Sequence, residues 1–336
     1  MSKALPERFL ERLWYGQASG LSLLLIPLAW LYGLMAAGRR LLFRFGLLAA
    51  GHPGVPVIVV GNITAGGTGK TPVVAWLAER LRAVGRHPGI ASRGHGAAGG
   101  VRDPMQVLPA TPAKEAGDEP VLLARRTGVP VVVCTDRLAA ARALVAAGVD
   151  VIIADDGLQH YGLARDLEIV VVDGIRRFGN GRLLPAGPLR EPQTRLAQVP
   201  LVLVNGGDAG PGWYPFSLRP GDAVRLTDGS RKPLAAFAGG KAWVVAGIGN
   251  PARFHTSLTA LGIDVAVVHV ADHGITDLHR LRNEANWPIL MTEKDAVKYP
   301  CCADPEVWYV PVELDMAPAA VGAVMGRIRE TLEQRT

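Results

Sequence analysis

The feature that most constrains the fold is a glycine-rich segment at residues 64–71, which reads Thr-Ala-Gly-Gly-Thr-Gly-Lys-Thr. An apolar, β-branched run at residues 55–60 precedes it, and an amphipathic run opened by Pro72 follows it. A strand, a glycine loop and a helix in this order bring backbone N–H groups and a helix N-terminus together around phosphate oxygens. The segment therefore predicts a phosphate-binding loop (P-loop) in preference to an ordinary glycine-rich turn.

Each part of this loop has an expected role in binding a nucleotide. The glycines permit close approach of the backbone, Lys70 would reach the β- and γ-phosphates, and the Thr71 hydroxyl would bind Mg²⁺. Thr64 stands where the general pattern has glycine. The predicted nucleotide-binding residues are Thr64, Ala65, Gly66, Gly67, Thr68, Gly69, Lys70 and Thr71.

The middle of the chain alternates between predicted strands and predicted helices. Strands are expected at residues 55–60, 88–92, 129–134, 151–154, 169–173 and 201–205, and helices at 72–84, 118–126 and 137–147. Short apolar strands without polar alternation are typical of a parallel sheet that is covered on both faces. We therefore predict an α/β fold, a doubly wound P-loop sheet that binds its ligands beyond the carboxyl ends of the strands.

Two adjacent carboxylates follow the predicted strand at residues 151–154. A carboxylate at a strand tip beside a P-loop is the Walker B arrangement, which holds Mg²⁺ directly or through water. Asp155 and Asp156 are therefore predicted as metal-binding residues, and the alternative is an ordinary Asp-Asp-Gly turn. Gln159 and His160 follow and are expected to face a substrate.

Asp118 begins the helix predicted at residues 118–126, and the residues alone leave two roles open for it. The local chemistry favours a helix cap, in which the carboxylate accepts backbone N–H bonds. A phosphotransferase also needs a group that takes the proton of the acceptor hydroxyl, and a carboxylate near the strand tips could serve.

Composition limits the class of protein. The chain has 336 residues, of which 49% are hydrophobic and 20% are charged, and this is enough for about two folded domains. Its 3 cysteines show no metal-ligand spacing, which is typical of a reducing compartment. The net charge of +6 suits phosphorylated ligands or an anionic membrane surface. No basic stripe with interleaved aromatics is present, so no nucleic-acid partner is predicted.

The N-terminal region is apolar, with no charged residue between Arg12 and Arg39. Its most apolar part, residues 21–37, would be about 26 Å long as a helix, which is short for a bilayer core of roughly 30 Å. Pro27 would kink or break such a helix. A signal peptide and a buried core helix are alternatives, but basic flanks favour an interfacial helix that dips into one leaflet.

The C-terminal third differs in composition from the rest of the chain. Residues 206–230 are rich in Gly, Pro and Asp and predict a linker or loop. Strands at 242–246 and 265–270, with a helix at 251–261 between them, predict a smaller α/β lobe. The Gly-Ile-Gly-Asn segment at 247–250 favours a tight strand-to-helix turn over a nucleotide fingerprint. The predicted domains are residues 1–45, a membrane-associated helical region, 46–205, the P-loop domain, and 206–336, the smaller lobe.

Six segments together resemble the tetraacyldisaccharide 4'-kinases, the lipid A kinases of Gram-negative envelopes. They are residues 61–72, 116–120, 155–160, 178–181, 184–191 and 291–296, and the likeness runs from the apolar N-terminus to about residue 312. In that family Thr64 is an ordinary start to the loop. His95 stands where a tyrosine is expected.

The resemblance implies an enzyme at the cytoplasmic face of the inner membrane, peripheral or monotopic. It would use ATP and Mg²⁺ to phosphorylate the 4'-hydroxyl of a tetraacylated glucosamine disaccharide 1-phosphate, forming lipid IVA. Asp118 becomes the expected base rather than a cap, and His273 is implied as its partner. The sequence identifies no protein partner.

The same resemblance assigns the remaining site residues. Arg190 and Glu191 are similar to a lid pair over the phosphates, and Asp156 is the carboxylate favoured for Mg²⁺. The implied catalytic residues are Lys70, Asp118 and His273. The implied metal-binding residues are Thr71, Asp155, Asp156 and Glu191. The expected substrate contacts are Arg93, Gln159, His160 and Arg190.

Two other classes of protein share part of this pattern. A P-loop GTPase or metallochaperone would need a guanine-reading Asn-Lys-x-Asp segment, for which Thr-Glu-Lys-Asp at residues 292–295 is a poor match. A noncatalytic membrane scaffold would account for the apolar N-terminus but not for the carboxylates. A kinase accounts for both.

Overall fold

The computed structural model of the protein describes residues 10, 12–16, 20–270 and 274–335. Two sheets organise this part of the chain, one of nine strands and one of six. The strands are β1 Val57–Gly61, β2 Pro88–Ser92, β3 Met105–Val107, β4 Val131–Val133, β5 Val151–Asp155, β6 Leu167–Asp173, β7 Leu201–Asn205, β8 Tyr214–Pro220, β9 Ala223–Arg225, β10 Arg231–Lys232, β11 Lys241–Val245, β12 Asp264–Val268, β13 Ile289–Thr292, β14 Val307–Val310 and β15 Val312–Asp315.

A helical segment at residues 12–15 precedes the α-helices that connect and cover these strands. They are α1 Gly20–Leu24, α2 Ile26–Arg44, α3 Lys70–Ala83, α4 Ala113–Ala116, α5 Asp118–Thr127, α6 Arg137–Ala146, α7 Pro251–Ala260, α8 Leu278–Glu284, α9 Glu293–Ala296 and α10 Pro318–Glu333. Two short 3₁₀ helices lie at Gln193–Gln198 and Leu234–Phe237.

The larger sheet has the order β15-β8-β7-β6-β1-β5-β2-β4-β3. Its strands from β8 to β4 are parallel, and the two edge strands, β15 and β3, are antiparallel to their neighbours. β1 is central and buried along its whole length, as its apolar β-branched sequence predicts. The α/β prediction is confirmed, and the carboxyl ends of β1, β5 and β6 meet at one edge.

The smaller sheet has the order β10-β9-β14-β13-β11-β12. β14, β13, β11 and β12 are parallel, and the hairpin of β9 and β10 is antiparallel. Its core contains Phe254, Leu258, Leu290 and Trp308. This is the second α/β lobe that the sequence predicts.

The prediction of a linker or loop at residues 206–230 is wrong, because β8 and β9 lie within it. β8 pairs with β7 on one side and with β15, almost a hundred residues later, on the other. Helix α10 then packs Val324, Ile328 and Leu332 into the core beneath the larger sheet. The larger sheet therefore continues past residue 206, and a division into folding units at that residue stays a prediction.

The apolar N-terminal region forms α1 and α2, with Pro27 in the first turn of α2 rather than in its middle. Ala29 is the only residue of α2 that is buried, so α2 is not a core helix. Among the described residues, no helix is long and apolar enough to span a membrane.

Candidate functional site

The P-loop lies between the end of β1 and the start of α3 and is held by two asparagine side chains. Asn62 Nδ2 donates to Gly66 O at 3.3 Å and to Thr68 Oγ1 at 3.4 Å. Asn205 Nδ2, at the end of β7, donates to Thr68 O at 3.0 Å. Gly69 has a φ of 97°, and a Cβ there would lie 2.6 Å from Asn205 Nδ2. The loop therefore requires glycine at this position, on both conformational and steric grounds.

Lys70 begins α3 and lies beside one of the two predicted Walker B carboxylates. Its Nζ is 3.4 Å from Asp156 Oδ1, and Arg190 Nη1 is 3.3 Å from Asp156 Oδ2. Burial alone would raise the pKa of Asp156, but Lys70 and Arg190 outweigh it, and the pKa is lowered. The carboxylate is thus ionised and holds two cations at the loop. Phosphate oxygens would compete with it for both cations.

Asp155 has a different environment, although it is the adjacent residue. Only 1% of it is exposed, and its Oδ1 has no hydrogen-bond partner among the described residues. Its Oδ2 accepts a 3.3 Å hydrogen bond from Ser92 Oγ. Burial, and then the charges of Glu119 and Asp156, raise the pKa of Asp155 to about 7. A buried carboxylate with an unsatisfied oxygen is unfavourable unless a cation or a proton accompanies it.

These residues fit Mg²⁺. The unsatisfied Asp155 oxygen, the neighbouring Asp156 carboxylate and the Thr71 hydroxyl in the first turn of α3 are all oxygen donors near the P-loop. Mg²⁺ commonly takes one or two carboxylates together with waters and substrate phosphates. No group of three or more His, Cys, Asp or Glu side chains arranged for a metal occurs in the described part of the chain. A site that is completed by nucleotide oxygens does not need one.

The raised pKa of Asp155 predicts a pH-dependent stability that Mg²⁺ reverses. Because the pKa of about 7 in the folded state exceeds the ordinary aspartate pKa of about 3.9, this stability is present below pH 4 and is lost as the pH rises through 7. When a chelator removes metal ions, the free energy of unfolding of the wild type should fall by on the order of 2–4 kcal/mol relative to that of Asp155→Asn between pH 4 and pH 8. Melting temperatures at several pH values, with and without Mg²⁺, measure this.

Asp156→Asn should move this pH dependence to lower pH, because the charge of Asp156 is one of the causes of the raised pKa of Asp155. Mg²⁺ should raise the melting temperature of the wild type most above pH 7 and should have little effect on Asp155→Asn. Identical pH profiles for the wild type and Asp155→Asn would refute a buried, titrating Asp155.

Glu191 lies in a buried network rather than at an open metal site. Its Oε1 accepts from Gln159 Nε2 at 2.8 Å, its Oε2 accepts from Tyr161 Oη at 3.2 Å, and Arg195 Nε lies 3.4 Å from Oε2. Gln159 Nε2 also donates to Asn62 O at 3.0 Å, which joins this network to the base of the P-loop. Glu191 is surrounded by donors, and a metal-binding role for it stays a prediction.

The two other expected substrate contacts lie at the same edge of the sheet. His160 is half-buried, and burial, followed by the charge of Arg137, lowers its pKa to about 4. Its imidazole is therefore neutral at physiological pH and can accept a hydrogen bond. Arg93 is exposed directly after β2. Contact of either residue with a substrate stays a prediction.

Asp118 is the first residue of α5 and is 6% exposed. Gly117, and not Asp118, occupies the N-cap position of this helix, and the role of Asp118 stays a prediction. Lys298 Nζ, from the smaller lobe, is 3.5 Å from Asp118 Oδ2. His273, the implied partner of Asp118, lies outside the described residues.

Sequence reasoning missed two buried cations at this site. Lys298 is one of them, and nothing local in the sequence distinguishes it. Arg137 is the other: it is 3% exposed, and its Nη2 donates to the backbone oxygens of Asp155 and Asp156 at 3.1 and 3.4 Å. It opens α6, shortly after β4 ends, and the rule for parallel sheets would place it at the ligand edge.

The smaller lobe closes over the P-loop. The segment at 247–250 is the predicted tight turn and joins β11 to α7. Its Gly249 lies so near the loop that a Cβ there would be 2.8 Å from Gly67 N. Arg253 Nη2 donates to Asn205 O at 3.2 Å, so α7 is also fastened to the strand that supports the loop.

Comparison with known proteins finds a similarity over nearly the whole chain. The family described as LpxK, Tetraacyldisaccharide-1-P 4'-kinase, matches residues 21–329. Among solved structures, the "apo" form of LpxK from Aquifex aeolicus in complex with ATP is 26% identical with a TM-score of 0.77. That match covers 94% of this chain and 99% of that one.

The signal recognition particle receptor FtsY from Elizabethkingia anophelis also matches in two structures, one of which is a complex with GDP. Each of these structures is 18% identical to this chain and covers 47% of it. The match covers 52% of the FtsY chain in the first structure and 51% in the GDP complex. Their TM-score of 0.30 is too low to support any argument about fold or function.

Proposed function

This chain belongs to the tetraacyldisaccharide-1-P 4'-kinase family, and from that premise we propose its reaction and its site. The proposed reaction transfers the γ-phosphate of ATP to the 4'-hydroxyl of a tetraacylated glucosamine disaccharide 1-phosphate, forming lipid IVA. The observation that carries the site is the meeting of Lys70 with the Asp155-Asp156 pair at the P-loop, where the Lys70 and Asp156 side chains lie 3.4 Å apart.

ATP would bind with its phosphates in the P-loop, as the ATP complex of the Aquifex aeolicus enzyme supports. The N-terminus of α3 and the backbone of residues 64–69 would face the phosphate oxygens. Lys70 and Arg190 would exchange part of their contact with Asp156 for contact with the β- and γ-phosphates. Gly249 of the smaller lobe, already beside Gly67, would help to exclude water from the transferring group.

Mg²⁺ fits this site through Asp155, Asp156 and Thr71, and when bound it would neutralise charge on the phosphate oxygens. Arg137 holds the backbone oxygens of both aspartates and so fixes the direction of their side chains. Glu191 would support the site through Gln159 and the carbonyl of Asn62.

Asp118 is proposed as the base. Its carboxylate would accept the proton of the 4'-hydroxyl while the hydroxyl oxygen forms a bond to the γ-phosphorus. The bond from that phosphorus to the β–γ bridging oxygen breaks, and ADP leaves with the electron pair. His273 would orient Asp118 or share its proton.

We also propose that α1 and α2 dock on the cytoplasmic face of the inner membrane without crossing it. Most of the exposed large apolar side chains in the described part of the chain lie on these helices or directly after α2: Leu23, Leu24, Leu28, Trp30, Leu31, Leu34, Met35, Leu41, Leu42, Phe45, Leu47 and Leu48. The opposite face contacts the site, with Tyr32 Oη donating to Arg190 O at 3.1 Å and Arg40 Nη1 3.8 Å from Glu191 Oε2. An apolar surface with Arg39 and Arg44 beside it is typical of an interfacial helix.

The docking proposal predicts that polar substitutions on α2 release the enzyme from membranes. Trp30→Gln, Leu34→Gln and Met35→Gln together should lower partition to anionic vesicles by at least about tenfold, because each removes apolar area from the interface. Turnover of a long-chain acceptor should fall, and turnover of a deacylated analogue should not. Vesicle sedimentation and both turnover assays measure this.

The control is Ile175→Gln, which changes an exposed apolar residue elsewhere on the protein. Unchanged partition of the triple variant would refute the docking surface.

The reaction itself is tested by ADP formation from purified protein. Release should require the disaccharide 1-phosphate, and mass spectrometry should find one added phosphoryl group on the acceptor at the 4' position. Nucleotide hydrolysis that does not depend on the acceptor and is faster with GTP than with ATP would instead indicate a GTPase. Absence of any turnover, with normal membrane binding, would indicate a scaffold.

A further inference from the structure

Lys298 carries a buried ammonium that contacts oxygens from three separate segments. Its side chain is 3% exposed. Nζ lies 2.8 Å from Asp295 Oδ1, 3.1 Å from Gly274 O and 3.5 Å from Asp118 Oδ2. Asp295 and Gly274 belong to the smaller lobe, whereas Asp118 begins α5 beside the larger sheet. One cation therefore joins the proposed base to the opposite lobe.

Asp295 makes this contact directional, because its own carboxylate is fixed. It is 1% exposed, and its Oδ2 accepts from Gly247 N at 2.9 Å and from Thr292 Oγ1 at 2.6 Å. A charge-assisted pair held this way has little freedom to rotate. Gly247 opens the turn that carries Gly249 to the P-loop, so the same network touches both the proposed base and the phosphate site.

We propose that Lys298 is a positioning residue, which fixes the direction of the Asp118 carboxylate when the smaller lobe is docked. The proposal rests on the proposed role of Asp118 as base. The contact with Gly274 extends this role, since that residue directly follows His273 in the sequence. Misplacement of a catalytic group by a fraction of an ångström lowers turnover without weakening nucleotide binding.

A simpler possibility is that Lys298 only fastens the two lobes together. Arg126 and Glu293 form an ion pair of this kind, at 3.2 Å across the same interface. Arg126→Gln is therefore the matched control for loss of a cross-lobe ion pair. Thermal stability of each variant shows whether the interface survives.

The test compares kcat and the KM for ATP in full-length variants. Lys298→Met should lower kcat by about 30-fold and change the KM for ATP by less than about threefold. Lys298→Arg should recover part of kcat because it restores the charge, and Arg126→Gln should stay within about twofold of wild type. Asp118→Asn combined with Lys298→Met should equal Asp118→Asn alone, since a residue that acts through Asp118 has nothing left to position.

Loss of Lys298 leaves the Asp295 carboxylate buried without its cation. Lys298→Met combined with Asp295→Asn therefore provides a second variant, in which the buried carboxylate is also removed. If Lys298 positions Asp118, this variant also has low kcat; recovery to wild-type kcat would overturn the proposal. Wild-type kcat for Lys298→Met, or a loss that multiplies with that of Asp118→Asn, would overturn it as well. Near-normal turnover of Asp118→Asn would instead remove the base assignment itself, which keeps the two failures distinct.

Discussion

Lys70→Ala is expected to abolish phosphoryl transfer while leaving the fold intact. Lys70 is the cation that begins α3, and its Nζ already lies 3.4 Å from a carboxylate at the P-loop. In the reaction it would stabilise charge that develops on the transferring phosphate, an effect worth several kcal/mol or at least about 10³-fold in rate. Steady-state ADP formation with the lipid acceptor measures the loss.

The structure suggests why the fold should tolerate this change. Asp156, the partner that Lys70 leaves behind, keeps its contact with Arg190 and is only partly buried. The melting temperature should therefore change by only a few degrees. Lys241→Ala, which breaks an exposed 3.7 Å pair with Asp264, is the control and should retain full turnover. Near-normal turnover by folded Lys70→Ala would refute the P-loop assignment.

The larger sheet could be predicted because its strands are buried on both faces. The strands expected at 88–92 and 201–205 form with those bounds, as Pro88–Ser92 and Leu201–Asn205. The strand expected at 55–60 begins two residues before β1 and ends one residue before it, and the strand expected at 129–134 extends beyond β4 at both ends. Continuous apolar runs between glycine and proline turns leave few alternatives to a parallel sheet.

β8 could not be predicted in the same way. Its residues alternate irregularly between buried and exposed, and glycine and proline surround it. It becomes a strand through pairing with β7 and with the distant β15, an interaction that a local pattern does not contain.

The candidate site shows the same limit. Motif spacing predicts the P-loop and the Asp155-Asp156 pair, because a continuous strand–loop segment carries each. Asn205 and Lys298 have no such motif, and their importance comes from contacts between distant elements. Sequence also treats the two aspartates as nearly equivalent, whereas the fold buries Asp155 with an unsatisfied oxygen and pairs Asp156 with Lys70 and Arg190.

The second large effect is expected for Asp118 and His273, which are about 150 residues apart in the sequence. Lys298 Nζ contacts both Asp118 Oδ2 and Gly274 O, so the residue next to His273 shares a buried neighbour with the proposed base. The pairing of His273 with Asp118 itself stays a prediction.

If the two residues act as one unit, their effects on turnover should not multiply. Asp118→Ala should lower kcat by about 10²–10⁴-fold, the usual contribution of a general base, with little change in ATP binding. His273→Ala should cost less, because Asp118 can still accept the proton, and the double variant should equal Asp118→Ala. Rate losses that multiply would mean that each residue contributes separately, and the catalytic pair would have to be abandoned. Melting temperatures of the three variants separate this result from partial unfolding. Loss of a buried carboxylate alone could make Asp118→Ala less stable. It would not explain why adding His273→Ala to Asp118→Ala causes no further loss of kcat.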